Sequence, residues 1–197
     1  ISNGRSSDLQ YESTVNFTES FEKHNLQALA GYSFEEFESN NSYMINSGFD
    51  TDIYGPHNIG SGVALSEGTA SMGSYKGKSR LISFFGRVMY NFDEKYLASA
   101  SLRREGSSRF GKNHKWGWFP SVSLGWRINK EDFLNDVQWV NDLKIRVGYG
   151  VTGNQDIGNY RSLLLMGRAG KFYYNGEWIN TYQPVTNPNP DLKWENK

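Results

Sequence analysis

The chain has 197 residues, 21 basic against 21 acidic side chains for a formal net charge of zero, and no cysteine. That balance, with no basic cluster, argues against nucleic acid as a partner, and the missing thiols exclude a disulfide framework and thiolate metal sites. Mean hydropathy is −0.66 and no apolar run approaches the ~18 residues of a membrane helix, although a membrane β-barrel leaves no such run because polar lumen residues dilute its apolar ones.

The first elements are two alternating stretches, Leu9–Thr18 and Leu26–Glu35, joined by a tight turn at Glu22–Asn25. One parity reads Leu9, Tyr11, Ser13, Val15, Phe17 and then Leu26, Ala28, Ala30, Tyr32, Phe34, while the other carries Glu12 and Glu35. A period of two marks a strand with one dry face and one wet face. The following Glu36–Ser79 segment is rich in Gly, Ser and Asn, a composition that predicts a long, partly mobile loop. Leu81–Phe92 and Tyr96–Arg103 form a second hairpin across Asp93–Lys95, and the Glu105–Gly117 loop leads to the strand Trp118–Asn129. Asn129 is placed to cap a short helix over Lys130–Asn135, with Asp132 at its third position and Phe133, Leu134 and Val137 on its buried side. Leu143–Gly150 is the sixth strand. The Val151–Glu195 loop is too aromatic for a solvated tether and closes in Asn187-Pro-Asn-Pro190, after which Asp191–Lys197 resembles the opening of a further strand.

Through all six stretches the dry parity carries no charge, and its aromatics sort to the two ends. Phe17, Tyr90, Phe92, Tyr96 and Trp126 fall near the short turns; Tyr11, Tyr32, Phe34, Phe84, Trp118 and Tyr149 fall near the long loops. Small and aliphatic residues fill the middle. Two aromatic girdles around an aliphatic belt fit a lipid-facing wall, and strands tilted at ~45° cross the apolar core in about 9–11 residues. Phe84, Val88, Ala98, Ala100, Val122, Leu124, Trp126, Ile145 and Val147 are the expected lipid-facing set. A soluble β-sandwich also has an apolar inner face, but no reason to send its aromatics to both ends. The expected fold is therefore all-β: an antiparallel transmembrane β-barrel segment of six to seven strands with long extracellular loops and short periplasmic turns. Six strands cannot close a barrel, and open edges are not tolerated in lipid, so 1–197 reads as one segment of a larger barrel domain.

Candidate chemistry is sparse. Gly77-Lys-Ser79 has Met72 where a phosphate loop needs Gly, and the calcium-like start Asp50-Thr-Asp52 reaches Ser61 where a Glu is required. His24, His57 and His114 read as solvated loop residues, and no catalytic triad or carboxylate pair can be assembled, so neither metal, cofactor nor enzymatic activity is expected. Arg103, Arg104, Glu105 and Arg109 cluster at the top of the fourth strand, with Arg127, Lys144 and Arg146 lower down, and read first as solvating the barrel interior. Arg103 and Arg109 are the lumen candidates for ligand contact; Trp178 and Tyr182 are the loop candidates, able to stack on sugar faces.

Several motifs agree in order and spacing with one family. Tyr90-Asn-Phe-Asp-Glu-Lys-Tyr-Leu97 leads to Ser101-Leu-Arg-Arg-Glu-Gly-Ser-Ser-Arg-Phe-Gly111, then Trp118-Phe-Pro-Ser-Val-Ser-Leu-Gly-Trp-Arg127, Leu143-Lys-Ile-Arg-Val-Gly-Tyr-Gly-Val-Thr-Gly-Asn154 and Asn187-Pro-Asn-Pro-Asp-Leu-Lys-Trp-Glu195. Together these resemble the SusC/RagA family of TonB-dependent outer-membrane transporters of Bacteroidetes, strongly from Arg80 onward and less over the first 79 residues. The resemblance implies the middle-to-late part of a plugged barrel of about 22 strands. It further implies a location in the bacterial outer membrane, contact with outer-membrane lipid and a SusD-like surface lipoprotein as lid. Import of oligosaccharides or peptides would be energised by TonB–ExbB–ExbD acting on a plug region that 1–197 lacks. A passive porin and a soluble glycan-binding or adhesin module are the alternative readings, and the cargo is not legible in the sequence.

Overall fold

The computed structural model describes residues 1–134 and 140–197. Six long strands form one sheet: β1 (Ser2–Phe21), β2 (His24–Ile45), β3 (Ser71–Phe92), β4 (Tyr96–Ser107), β5 (Trp116–Arg127) and β6 (Lys144–Gly150). They are ordered β1-β2-β3-β4-β5-β6, each hydrogen-bonded to its sequence neighbours. The chain then forms β7 (Gly153–Asn154), β8 (Met166–Tyr174), β9 (Glu177–Pro184) and β10 (Glu195–Asn196). β8 and β9 make a separate hairpin, and β10 returns antiparallel to β7. The strand expected near the carboxyl end is this short return.

Two compact units divide the chain: Ile1–Leu9 with Glu36–Ser79, and Gln10–Glu35 with Arg80–Lys197. In the first unit, strand continues where a loose loop was expected. β2 runs on to Ile45 and β3 already starts at Ser71, which confines the irregular part to 46–70. Ion pairs lace the two strands, Lys76 to Glu38 at 2.9 Å and Lys78 to Glu36 at 2.6 Å. The sequence Glu36-Phe-Glu-Ser-Asn-Asn-Ser-Tyr43 is polar on both faces, so the alternation that betrays a half-buried strand is missing there. The remaining connection is also tied down. Asn46 donates from Nδ2 to the carbonyls of Ile59 and Gly62 at 2.7 and 3.0 Å, which ties it to the end of the 3₁₀ turn Gly55–Ser61, just before a short helical turn at Val63–Ser66.

The second unit holds the wall. Its short turns use residues at positive φ: Glu22 at 51°, and Asp93 and Glu94 at 51° and 54°. Lys23 bridges the two turns through Asp93 at 2.9 Å. Over its described residues the capped helix expected after β5 does not form. Instead the chain makes two short 3₁₀ turns, Ile128–Lys130 and Asp132–Leu134. Asn129 lies inside the first turn instead of capping it: its side-chain Nδ2 donates to the Asn141 carbonyl at 3.1 Å, its Oδ1 accepts from no described residue, and the backbone amides of Ile128 and Asn129 both donate to the Leu143 carbonyl. Phe133 is exposed rather than buried; Asn135 and Val137 lie outside the described residues. This connection is organised by Glu131, which accepts from the Tyr96 hydroxyl at 2.7 Å, Trp126 Nε1 at 2.9 Å and Lys95 at 3.4 Å. Those donors, the Tyr96 hydroxyl first, then the indole and the ammonium, hold its carboxyl below the usual carboxylate range.

Candidate functional site

The register of the sheet decides what each face offers. Val88, Ala100, Val122 and Tyr149 stand opposite one another in one row across β3 to β6. Tyr90, Ala98, Leu124 and Val147 form the next, and Phe92, Tyr96, Trp126 and Ile145 the one beside the turns. A slip of one residue would have thrown charges into these rows. Among the described residues nothing packs over them: Leu124 is 61% exposed and Val147 70%. Val88, Val122, Ile145, Phe84 and Trp126 are also exposed, Ala100 is exposed, and Ala98 is half-buried between its neighbours. A soluble sandwich would hide such a face, because a contiguous apolar patch of this extent is rarely left to water.

Aromatics border the face at both ends. Tyr11, Tyr32, Phe84 and Trp116 follow one another across four strands with ring centres 6.3, 5.3 and 6.2 Å apart. At the turn end His24 stacks on Phe21 at 4.7 Å, packs on Phe92 at 4.9 Å and hydrogen-bonds the Tyr90 hydroxyl at 2.6 Å. It is thus a girdle residue and not a solvated loop histidine.

The opposite face is polar and small. Ser99 meets Ser123 at 2.8 Å and Ser101 meets Ser121 at 2.7 Å. Arg87, Lys144 and Arg146 line a hollow of about 490 Å³ with Asn25 and Gln27. Nearer the long loops, Arg103 is already engaged. It pairs with Glu105, donates from Nη2 to Ser83 at 3.0 Å and lies 5.6 Å from the centre of the Phe85 ring. Ser83 is fully buried and donates in turn to Glu105 at 2.8 Å. Arg104 does not join this group. Its register partners are Phe84 and Trp118, both on the uncharged face, and its guanidinium sits over the rings of Trp116 and Trp118 at 4.8 and 5.1 Å. Grouping it with the lumen charges ignored the alternation that separates Arg103 from Arg104.

The long connections form a knot around the only buried cluster of large apolar side chains among the described residues: Phe110, Phe119 and Trp194. Trp194 lies 4.9 Å from Phe110 and 5.1 Å edge-on from Phe119, and its Nε1 donates to the Lys115 carbonyl at 2.9 Å. Gly111 donates to the Leu192 carbonyl at 3.1 Å, and a Cβ at Gly111 would overlap the Pro190 carbonyl oxygen. Arg109 braces the same knot, donating to Asn159 Oδ1 at 3.1 Å and to the Gln155 carbonyl at 3.2 Å.

Trp178 and Tyr182 stand on the β8–β9 hairpin, 66% and 63% exposed. They share a face, and the cross-strand partner of Trp178 is Tyr173, with ring centres 5.3 Å apart. The register shift between Arg168 and Gly170 brings Arg168 opposite Tyr182 and so onto that face, where Lys171 also lies opposite Asn180. The hairpin turns on Asn175 and Gly176 at φ 49° and 86°. An Asn-Gly pair between strand-forming residues is the strongest short-range hairpin signal, and it was there to be read inside what looked like a loop. Among the described residues no group of three His, Asp or Glu side chains could hold a metal.

Strands meeting in a simple up-and-down order, one bare apolar face edged with aromatics and one polar face lined with arginine and serine make this a section of membrane β-barrel wall. Residues 2–196 match the family described as TonB dependent receptor-like, beta-barrel, and the chain belongs to it. It is 36% identical over 189 residues to TonB-dependent receptor P39 of Formosa agariphila, covering 95% of this chain and 17% of the relative. It is 35% identical over 191 residues to TonB-dependent receptor SusC of Bacteroides thetaiotaomicron, covering 95% of this chain and 18% of that protein. The fold superposes on the RagAB peptide transporter with a TM-score of 0.85 at 29% identity, over 99% of this chain and 21% of that one. The chain therefore spans about a fifth of the length of these relatives, and these relatives are receptors and transporters rather than enzymes.

Proposed function

We propose that the chain is a wall segment of an energised outer-membrane importer that takes up oligosaccharides or peptides. In this reading the uncharged face meets the hydrocarbon of the bacterial outer membrane. The serine- and arginine-lined face encloses a lumen filled by a plug that couples to TonB–ExbB–ExbD. The β8–β9 hairpin and the loop knot lie at the outer mouth, where a SusD-like lipoprotein closes over the cargo. The observation that carries the reading is the in-register uncharged face, bare over four strands and flanked by rings at both ends. The relative named TonB-dependent receptor SusC supports the receptor type, and the RagAB peptide transporter supports the peptide class of cargo.

Arg103 and Arg109, both committed to carboxylate, hydroxyl, amide or carbonyl partners, shape the mouth rather than bind freely. Trp178 and Tyr182 remain the groups able to stack on a sugar ring or a peptide side chain. The test uses cells expressing the full-length transporter and given fluorescent oligosaccharides or peptides. Uptake should collapse when the proton-motive force is dissipated or TonB is deleted. Uptake that continues unchanged would identify a passive porin instead. Recovery of the full-length protein in the aqueous fraction would favour a soluble binding module.

A further inference from the structure

Within the paired rows from Ile82 to Phe92 of β3, Arg104 is the one charged residue that the register of β3 to β5 places on the uncharged face, at its border with the long loops. Elsewhere on those rows the side chains are apolar or aromatic, so a cation here needs a reason. Its guanidinium is held across two indoles, Trp116 at 4.8 Å and Trp118 at 5.1 Å. Trp116 itself continues the aromatic file Tyr11, Tyr32, Phe84. Stacked arginine keeps its hydrogen-bond donors in the plane of the guanidinium and aimed outward, the geometry suited to planar recognition of phosphate. Among the described residues no carboxylate pairs with it. Arg103, one position earlier, is by contrast neutralised by Glu105.

We infer that Arg104, Trp116 and Trp118 form a docking site for the phosphate of an outer-leaflet lipid. Charge complementarity selects the occupant. At the depth of an interfacial aromatic girdle a lipid presents its head group, and an anionic phosphate answers an unpaired guanidinium, while the indoles and Phe84 lie along the upper acyl chain. The inference rests on the wall reading, with this end of the strands at the outer leaflet.

The probe is lipid A carrying its phosphates, compared with the same lipid A after enzymatic dephosphorylation. Each is offered to the full-length transporter in detergent and scored as retained lipid by native mass spectrometry. Loss of a charge-assisted contact should lower retention of the phosphorylated form about tenfold in Arg104→Gln. Dephosphorylated lipid A should be retained equally by both proteins. Trp116→Ala, which keeps the charge but removes a ring beneath it, should also weaken retention of the phosphorylated form. Millimolar inorganic phosphate should not displace the lipid; displacement would reduce the site to a simple anion site and overturn the inference. Equal retention of phosphorylated lipid A by wild type, Arg104→Gln and Trp116→Ala would overturn it while leaving the wall reading intact. Failure of every form to retain any lipid would remove both.

Discussion

An arginine placed at Ala100 tests which side of the sheet touches hydrocarbon. Ala100 sits between Val88 and Val122 on the uncharged face, four positions from Tyr96 at the turn-end girdle and four from Arg104 at the other border. A strand advances about 3.3 Å per residue, and a ~45° tilt leaves roughly 2.3 Å of that along the membrane normal, so Ala100 lies about 9 Å from either border. That is the middle of the apolar belt, where arginine costs about 2–4 kcal/mol. Such a penalty lowers the folding equilibrium by a factor of about 30 to several hundred. Ser101→Arg is the matched control, one residue along and on the opposite face. It forfeits the 2.7 Å contact with Ser121, worth about 1 kcal/mol, and Ser101→Ala measures that loss separately. Urea titration of the full-length barrel in phospholipid bilayers, followed by tryptophan fluorescence, gives all three values. Arg at 100 should destabilise by about 1–3 kcal/mol more than Arg at 101. Equal penalties, or a larger one at 101, would refute the facing.

Arg103→Ala should cost about 1–2 kcal/mol because it strands the largely buried Glu105 and loosens Ser83, and a double-mutant cycle with Glu105→Ala should show a coupled pair. Gly111→Ala should loosen the loop knot at a cost of about 1–3 kcal/mol, since a Cβ there meets the Pro190 carbonyl oxygen; limited proteolysis should then cut near Pro190 and Gly111 faster than in the wild type. Glu131→Gln probes the turn-end clamp through pH. Because the Glu131 carboxyl is held below the usual carboxylate range, its contribution is fully present above the ordinary carboxylate pKa and fades as pH falls through the lowered value. The wild-type advantage over Glu131→Gln in urea titrations should therefore be full at neutral pH and vanish in acid.

The wall was readable in the sequence because each of its strands is wet on one side only. Leu124 and Val147 could be assigned to one face before any pairing was known, and the register then placed them side by side. The same rule failed where neither face is apolar, as in the continuation of β2 to Ile45, whose pairing rests on Glu36–Lys78 and Glu38–Lys76. Local capping preference misled at Asn129, which lies inside a 3₁₀ turn and whose Nδ2 donates to the Asn141 carbonyl twelve positions later. Arg109 could be nominated as a ligand contact only because its partners, Asn159 and Gln155, are far along the chain and meet it through the loop fold. Glu131 carried no motif at all, and its role depends on Tyr96 and Trp126 being neighbours on adjacent strands.

The anchoring of the hairpin has a bearing on how such receptors diversify. Trp194, Gly111 and Arg109 fasten the roots of the long connections to one another, while Met166–Pro184 extends from them as a self-paired ribbon with a turn of its own. Mutations accumulating on that ribbon need not disturb the junction from which it springs. A substitution on the ribbon and a substitution in the wall therefore act on separately held parts of the fold.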